Sequence, residues 1–182
     1  MPKARHFFVA LSCVAILVIW AVTVLHADIS EADVREINQY RLTEKALGQF
    51  GHATKSLIEL AHTKPDVFET VKKKTTNNED VAGLVEYYTK SPDVSRAIQS
   101  SGMTVHDYVY FEFALIYAAT GNVVLKAGGK LPDGFSKVNV EFFRTHEPDF
   151  KKLDQDMKTL GRLLEGNSIS SEEEDESDDE HR

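Results

Sequence analysis

At 182 residues the chain has room for one ordinary domain with some length to spare, and not for two. Apolar residues make up 42% and charged residues 27%, which excludes a wholly disordered, a collagen-like or a polytopic membrane chain. Lys+Arg is 21 against Asp+Glu 29, a net charge of −8 without the basic footprint that nucleic-acid binding requires, and the one cysteine excludes an internal disulfide framework.

The charge is unevenly spread. Residues 1–27 carry Lys3 and Arg5 and no acid, whereas residues 172–182 carry eight acids and one base, Arg182. Most of the acidity therefore belongs to the tail, and the segment between is close to neutral. Residues 7–25 run without a charge behind the two bases, and a small residue stands at Ala27. This is the pattern of a secretory signal. The 19-residue run is also nearly long enough to span a bilayer, and Leu25 is large for the position it holds before a cleavage site. Two readings stay open for residues 1–27: a cleaved signal peptide, or a retained single-pass anchor. Either one holds the N-terminus inside and places the remainder outside the cytoplasm, periplasmic, secreted or anchored facing out. Contact with a membrane is expected only through residues 7–25, and only if they are retained. Cys13 lies within this run, and a lipobox around it is weak because few apolar residues precede it.

From residue 28 onward the signals are helical, and alternating strand patterns are nearly absent. Ser30 with Asp33, followed by Val34, Ile37 and Tyr40, predicts a helix near 30–41. Thr43 is the expected cap of a second, near 44–62, with Leu47, Phe50, Leu57, Ile58 and Ala61 along one face. Pro65 stops that pattern, and a short helix near 66–73 ends in Lys72, Lys73 and Lys74, where cations suit the helix terminus. After the polar stretch 75–78, Val81, Leu84, Val85 and Tyr88 mark another helix. Ser91, Pro92 and Asp93 restart the chain as cap, first-turn proline and first-turn acid, and Gly102 suits a left-handed closing position.

Thr104 with Asp107 opens the most apolar helix, with Met103 placed to staple onto Tyr108, and it runs to Ala127 before Gly128 and Gly129. A helix apolar on most sides is the central one of its fold. The loop 130–136 contains Pro132 and Gly134. Asn139 is the expected cap of a last helix striped with Phe143, Phe150, Leu153, Met157, Leu160 and Leu164, and Pro148 predicts a kink or short break inside it. Gly166 ends that helix. Residues 167–182 hold one apolar residue, Ile169, and a block of acids, which predicts a disordered acidic tail. The expected fold is all-α: a compact bundle of about five to six helices around one central apolar helix at about 104–127. The expected domain spans 28–166.

Three stretches stand in this order: Tyr-Arg-Leu-Thr-Glu-Lys at 40–45, the run from Ser91 to Val109, and the run from Lys130 to Glu147. On them the chain resembles a family of small exported, mostly helical bacterial proteins of unknown function, over about residues 40–160. The resemblance implies export and a helical fold. It brings no activity and no ligand, and the acidic tail is not part of it.

The residues that carry chemistry are sparse. Beyond Cys13 there is no cysteine, and there is no Gly-x-Ser-x-Gly elbow. His52, His62, His106 and His146 form no ligand spacing of a metal site, so separate surface or hydrogen-bonded histidines are expected, with no metal and no cofactor. Residues 127–130 follow a helix and lack the phosphate-loop spacing, so they read as a helix end and turn. Tyr108, Tyr110, Phe111, Phe113 and Tyr117, with Tyr87, Tyr88, Phe142 and Phe143, either fill the core or line an apolar pocket; core is the commoner use. One polar residue stands out. On a helical wheel Glu112 falls among Val105, Tyr108, Ile116 and Ala119, on the apolar side, while His106, Tyr110 and Tyr117 make up a mixed face. A carboxylate there is either paired, with Arg144, Arg96 or a tyrosine hydroxyl, or sits at a face edge with water access, or anchors a ligand pocket. No catalytic set emerges. The expected function is an extracytoplasmic helical interaction or binding module, non-enzymatic, with partners that the residues do not name. A periplasmic holdase or stress protein and an enzyme of unrecognised type are the other two readings.

Overall fold

A computed structural model describes residues 29–68 and 81–165. The expectations for residues 1–27, for Lys72 to Lys74, for the stop at Gly166 and for the acidic tail lie outside them. Among the described residues every regular element is helical. In chain order the helices are α1 (Glu31–Gln39), α2 (Glu44–Thr63), α3 (Val81–Lys90), α4 (Pro92–Gln99), α5 (Val105–Lys126), α6 (Lys137–Thr145) and α7 (Glu147–Glu165). Residues 65–68 add one further helical turn.

Side-chain caps set most of the helix starts. Ser30, Thr43 and Thr104 each accept from the backbone N–H three residues on, at 3.1, 3.2 and 3.0 Å. Their ψ angles, 150–161°, aim the hydroxyl at the open end of the helix. Ser91 takes the cap position of α4 but makes no such bond. Its ψ is 102°, and at 106° the Ser136 cap of α6 is already stretched to 3.4 Å. What secures the start of α4 is Asp93, whose Oδ1 accepts from Lys64 at 2.9 Å and from Arg96 at 3.2 Å. Positive φ at Gly102 and Gly128, 83° and 79°, closes α4 and α5 in the left-handed region that side chains avoid.

The last expected helix is corrected at its start and divided at Pro148. Ser136, not Asn139, caps α6. Asn139 sits inside α6 and is buried, because its amide is engaged by a distant part of the chain. Its Oδ1 accepts from Leu42 N at 3.1 Å, and its Nδ2 donates to Tyr40 O at 2.7 Å. One side chain thus satisfies two backbone groups of the α1–α2 connection, which forms no helix of its own there. The break comes at His146, with Pro148 in the first turn of α7, where its missing N–H costs nothing.

α5 is the central helix: α1, α2, α3, α4 and α6 all pack on it, and α7 lies outside, against α2 and α6. Its 22 residues are long and apolar enough to cross a membrane, and more than half of its most apolar stretch is buried by its neighbours. The middle of the core is a run of rings. Phe50 from α2 stacks between Tyr108 and Phe111 of α5, at 4.7 and 4.6 Å between centroids. Tyr40 meets Phe111 edge-on at 6.4 Å, and Tyr88 and then Tyr87 continue from Tyr108. Such pairs add about 0.5–1.5 kcal/mol each beyond the area they bury. Phe142 and Phe143 belong to a second group with Phe150, at the α6–α7 elbow.

Gly121 of α5 is buried. A Cβ there would lie 2.7 Å from Val140 Cγ2 and 2.8 Å from Leu131 Cδ1. The Val140 methyl sits on a stiff β-branched carbon and is buried, so it has little room to yield. Gly121→Ala is therefore expected to destabilise by about 1–2 kcal/mol, overpacking outweighing the gain in helix propensity. Gly48→Ala, with open space around the new Cβ on an exposed stretch of α2, is expected to stabilise by about 0.5–1 kcal/mol. Opposite movements of the two urea midpoints check both. Asn139→Ala strips two backbone groups of their partner and is expected to cost about 1–3 kcal/mol by the same measurement.

Candidate functional site

Three polar arrangements interrupt the apolar interior. The first docks α1 on α5. Asp33 is 8% exposed and accepts from the Ser30 hydroxyl at 2.7 Å through Oδ2. The Tyr110 hydroxyl lies 3.3 Å from Asp33 Oδ1 and 3.1 Å from Glu36 Oε2, and with one proton it donates to one of them at a time. Burial, and then these two carboxylates, raise the Tyr110 phenol well above its ordinary range. His106 stacks on Tyr110 at 4.2 Å and reaches Glu36 Oε1 at 3.0 Å through Nε2. Tyr110 was expected on a mixed face; α1 covers it and leaves it buried, while His106 remains exposed.

The second arrangement closes the α6–α7 elbow onto α2. His146 stacks on Phe142 at 4.1 Å, its Nδ1 lies 2.9 Å from Phe142 O, and its Nε2 lies 3.3 Å from Glu44 Oε1. The Phe142 carbonyl, and then Glu44, raise its pKa above the ordinary 6.5. Lys126 at the end of α5 meets Glu147 at 3.0 Å, and with Lys151 it holds that carboxyl below its usual range.

The third is Glu112, whose charge is felt by Tyr88 and Tyr108. α5 turns Glu112 toward α3, and the residue is partly buried. Neither expected arginine reaches it. Arg144 pairs with Glu141 at 2.8 Å and Arg96 with Asp93, each an i,i+3 neighbour on its own helix and exposed. No hydrogen bond or ion pair joins Glu112 to any described residue. Burial alone pushes its carboxyl from 4.5 up to about 7. Its negative field in turn raises the phenols of Tyr88 and Tyr108, after burial, and Thr54 is the hydrogen-bonding neighbour of Tyr108. A carboxyl poised between its acid and its anion, beside two neutral phenols, is equipped to accept a hydrogen bond or to meet a cation. The helical wheel could not supply the missing partner, which depends on where α4 and α6 end up.

The remaining candidates scatter. His52 and His62 are exposed on α2. Among the described residues no three His, Cys, Asp or Glu side chains come together as a metal site. Residues 127–130 form a helix end and turn. Among the described residues, the large apolar side chains left exposed are Leu125, at 43%, and Val138, at 53%. The asparagine tether and the Asp33–Glu36–Tyr110 group had no sequence signal beyond a capping pair, because both join residues more than 70 positions apart.

No protein-family profile, curated protein or solved structure matches the chain.

The titrating groups predict a stability maximum on the acid side of neutral. Glu112 has a raised folded pKa, so the folded state holds its proton more tightly, and stability falls as pH rises from about 4.5 to about 7. His146 is also raised; its contribution is complete below 6.5 and is lost as pH climbs through the folded value. Asp93 and Glu147 are lowered, so their contributions fade only in acid, below the ordinary carboxyl range. Urea midpoints should therefore peak near pH 5. Glu112→Gln should raise the midpoint at pH 8, by the equivalent of about 1–2 kcal/mol of stability, and leave it nearly unchanged at pH 4. His146→Gln should flatten the decline between pH 6 and 8. A Glu112→Gln variant less stable than the parent at pH 8 would mean that the carboxylate is paired.

Proposed function

We propose that the chain is a non-enzymatic helical binding module that works outside the cytoplasm, with Glu112 as the polar anchor of its ligand site. The support for location is the uncharged run 7–25 behind Lys3 and Arg5, and the resemblance on residues 40–45, 91–109 and 130–147 agrees with it. The observation that carries the binding reading is the unpaired carboxyl of Glu112 in an aromatic setting. The residue is partly buried and its oxygens keep contact with solvent, so a ligand can reach a carboxyl whose proton affinity burial has already shifted. The surroundings favour a small ligand with an aromatic or aliphatic body and an amine. The body would lie against Tyr88, the partly exposed ring of the pair, and the ammonium would meet the carboxylate.

A holdase needs a sizeable exposed apolar patch, and the two exposed side chains Leu125 and Val138 give that reading less support. A catalytic reading needs a second group held against Glu112 by a hydrogen bond, and no described residue is so held.

The test is a thermal-shift titration of the full chain with an arylalkylamine and with the alcohol of the same skeleton. Near pH 8, amine at about 100 times its Kd is expected to stabilise by about 2.7 kcal/mol, and the alcohol by much less. Glu112→Gln should erase the difference. Equal effects of amine and alcohol on the parent protein would overturn the assignment.

A further inference from the structure

The α6–α7 elbow joins two helices that belong to different parts of the bundle. α6 lies along α5, and α7 lies along α2. Phe150, Leu153 and Leu160 of α7 are buried, and Gly51 of α2 faces Leu153. Between the two helices stands His146, after the last turn of α6 and before the first turn of α7. Both of its ring nitrogens face oxygens that accept. Nδ1 lies 2.9 Å from Phe142 O, and Nε2 lies 3.3 Å from Oε1 of Glu44, the first residue of α2. Thr145 Oγ1, 3.0 Å from Nδ1, has the Glu141 and Phe142 carbonyls for its own proton, so it too accepts from the ring. An imidazolium carries an N–H on each nitrogen and serves both sides. A neutral ring carries one, and turns a lone pair on either the carbonyl or the carboxylate. The helix ends agree with the charged form: a cation suits the C-terminus of α6, and an anion suits the N-terminus of α2. Asp149, in the first turn of α7, adds to the pull on the proton. The other charged groups at the elbow are engaged elsewhere: Glu141 with Arg144 on α6, and Glu147 with Lys126 of α5 and with Lys151.

We infer that His146 is a proton-operated clamp on this elbow. As the imidazolium it ties the end of α6 to the start of α2 and fixes the angle at which α7 leaves. As the neutral ring it lets go of one side, and the elbow opens locally while α7 keeps its apolar seat on α2. Residues at the ends of elements are where a hinge absorbs such a change, and a histidine is the side chain whose charge changes near neutral pH. The Phe142 carbonyl and Glu44 hold the proton beyond the ordinary 6.5, so release comes on the alkaline side of that value. The ring also stacks on Phe142 at 4.1 Å, and its departure uncovers that aromatic face. The clamp is independent of any ligand at Glu112.

The test is amide hydrogen exchange of the full chain at about pH 5.5 and about pH 8.5, expressed as protection factors so that the intrinsic effect of pH on exchange is removed. The elbow reports through three amides: His146 N, bonded to Phe142 O at 3.1 Å, and Asp149 N and Phe150 N, bonded to His146 O at 3.0 and 3.2 Å. The amides of Phe113 to Ala118 in α5 report the stability of the whole bundle. Between the lower and the higher pH, elbow protection is expected to fall by about three-fold or more beyond any change in α5, a modest factor because Glu44 is exposed to water. His146→Gln should abolish this extra loss. Glu44→Ala should bring elbow protection at the lower pH down to the level of the parent at the higher one. Glu112→Gln, which removes the other group titrating in this range, should leave the extra loss in place. An elbow that follows α5 at both pH values overturns the inference, as does an extra loss that survives in His146→Gln. A full response in Glu44→Ala overturns the tie to α2.

Discussion

Everything in this bundle is arranged around one aromatic insertion. Phe50 enters α5 between Tyr108 and Phe111, residues three apart and therefore on one face of that helix, and stacks on both. A ring held from both sides fixes the distance and rotation of α2 against α5 together. From there the contacts spread outward. Tyr40 touches the far side of Phe111 and brings in the α1–α2 connection, while Tyr88 extends the row from Tyr108 and brings in α3. Truncating a buried phenylalanine costs about 3–5 kcal/mol, a large share of a stability of about 5–15 kcal/mol. The apolar residues of α1, α3 and α4 then close over a helix whose orientation is already set.

Polar tethers decide what the apolar surfaces leave open. Asn139 holds the connection at Tyr40 and Leu42, where the backbone leaves the helix. Tyr110 draws two carboxylates of α1 toward α5, and His146 locks the elbow over Glu44. Each tether satisfies groups that burial would otherwise penalise, so the net gain from each is modest and the gain in specificity is larger. The surface ion pairs, such as Lys64 with Asp93, add little beyond alignment, because water and salt screen them. Glu112 departs from this pattern: a carboxyl on the core side of α5, unpaired, with a proton affinity near neutral.

The legible part of this protein was the part written in local periodicity and end chemistry. The caps at Ser30, Thr43 and Thr104, the glycine stops at 102 and 128, the break at Pro148 and the central standing of α5 all follow from residues within about one turn of each other. The aromatic set was legible as core. What distance in sequence concealed is of another kind. Asn139 has the composition of a cap, and only the arrival of residues 40–42, nearly a hundred positions earlier, turned its amide into a tether. Arg144 and Arg96 were plausible partners for Glu112 by charge, but each lies on an exposed face with an acid three residues away on its own helix, and the nearer acid won. The row from Tyr40 to Tyr87 is visible in the sequence as composition, never as a stack.

By itself, then, the sequence determined an all-helical body, the order and approximate limits of its helices, and which of them is central, because hydrophobic period and capping act over four or five residues. The tertiary structure alone decided which aromatic rings meet, which backbone groups a buried amide satisfies, and that Glu112 stays without a counter-charge while Leu125 and Val138 stay uncovered. Those outcomes depend on the relative placement of helices far apart in the chain, and no local rule contains it.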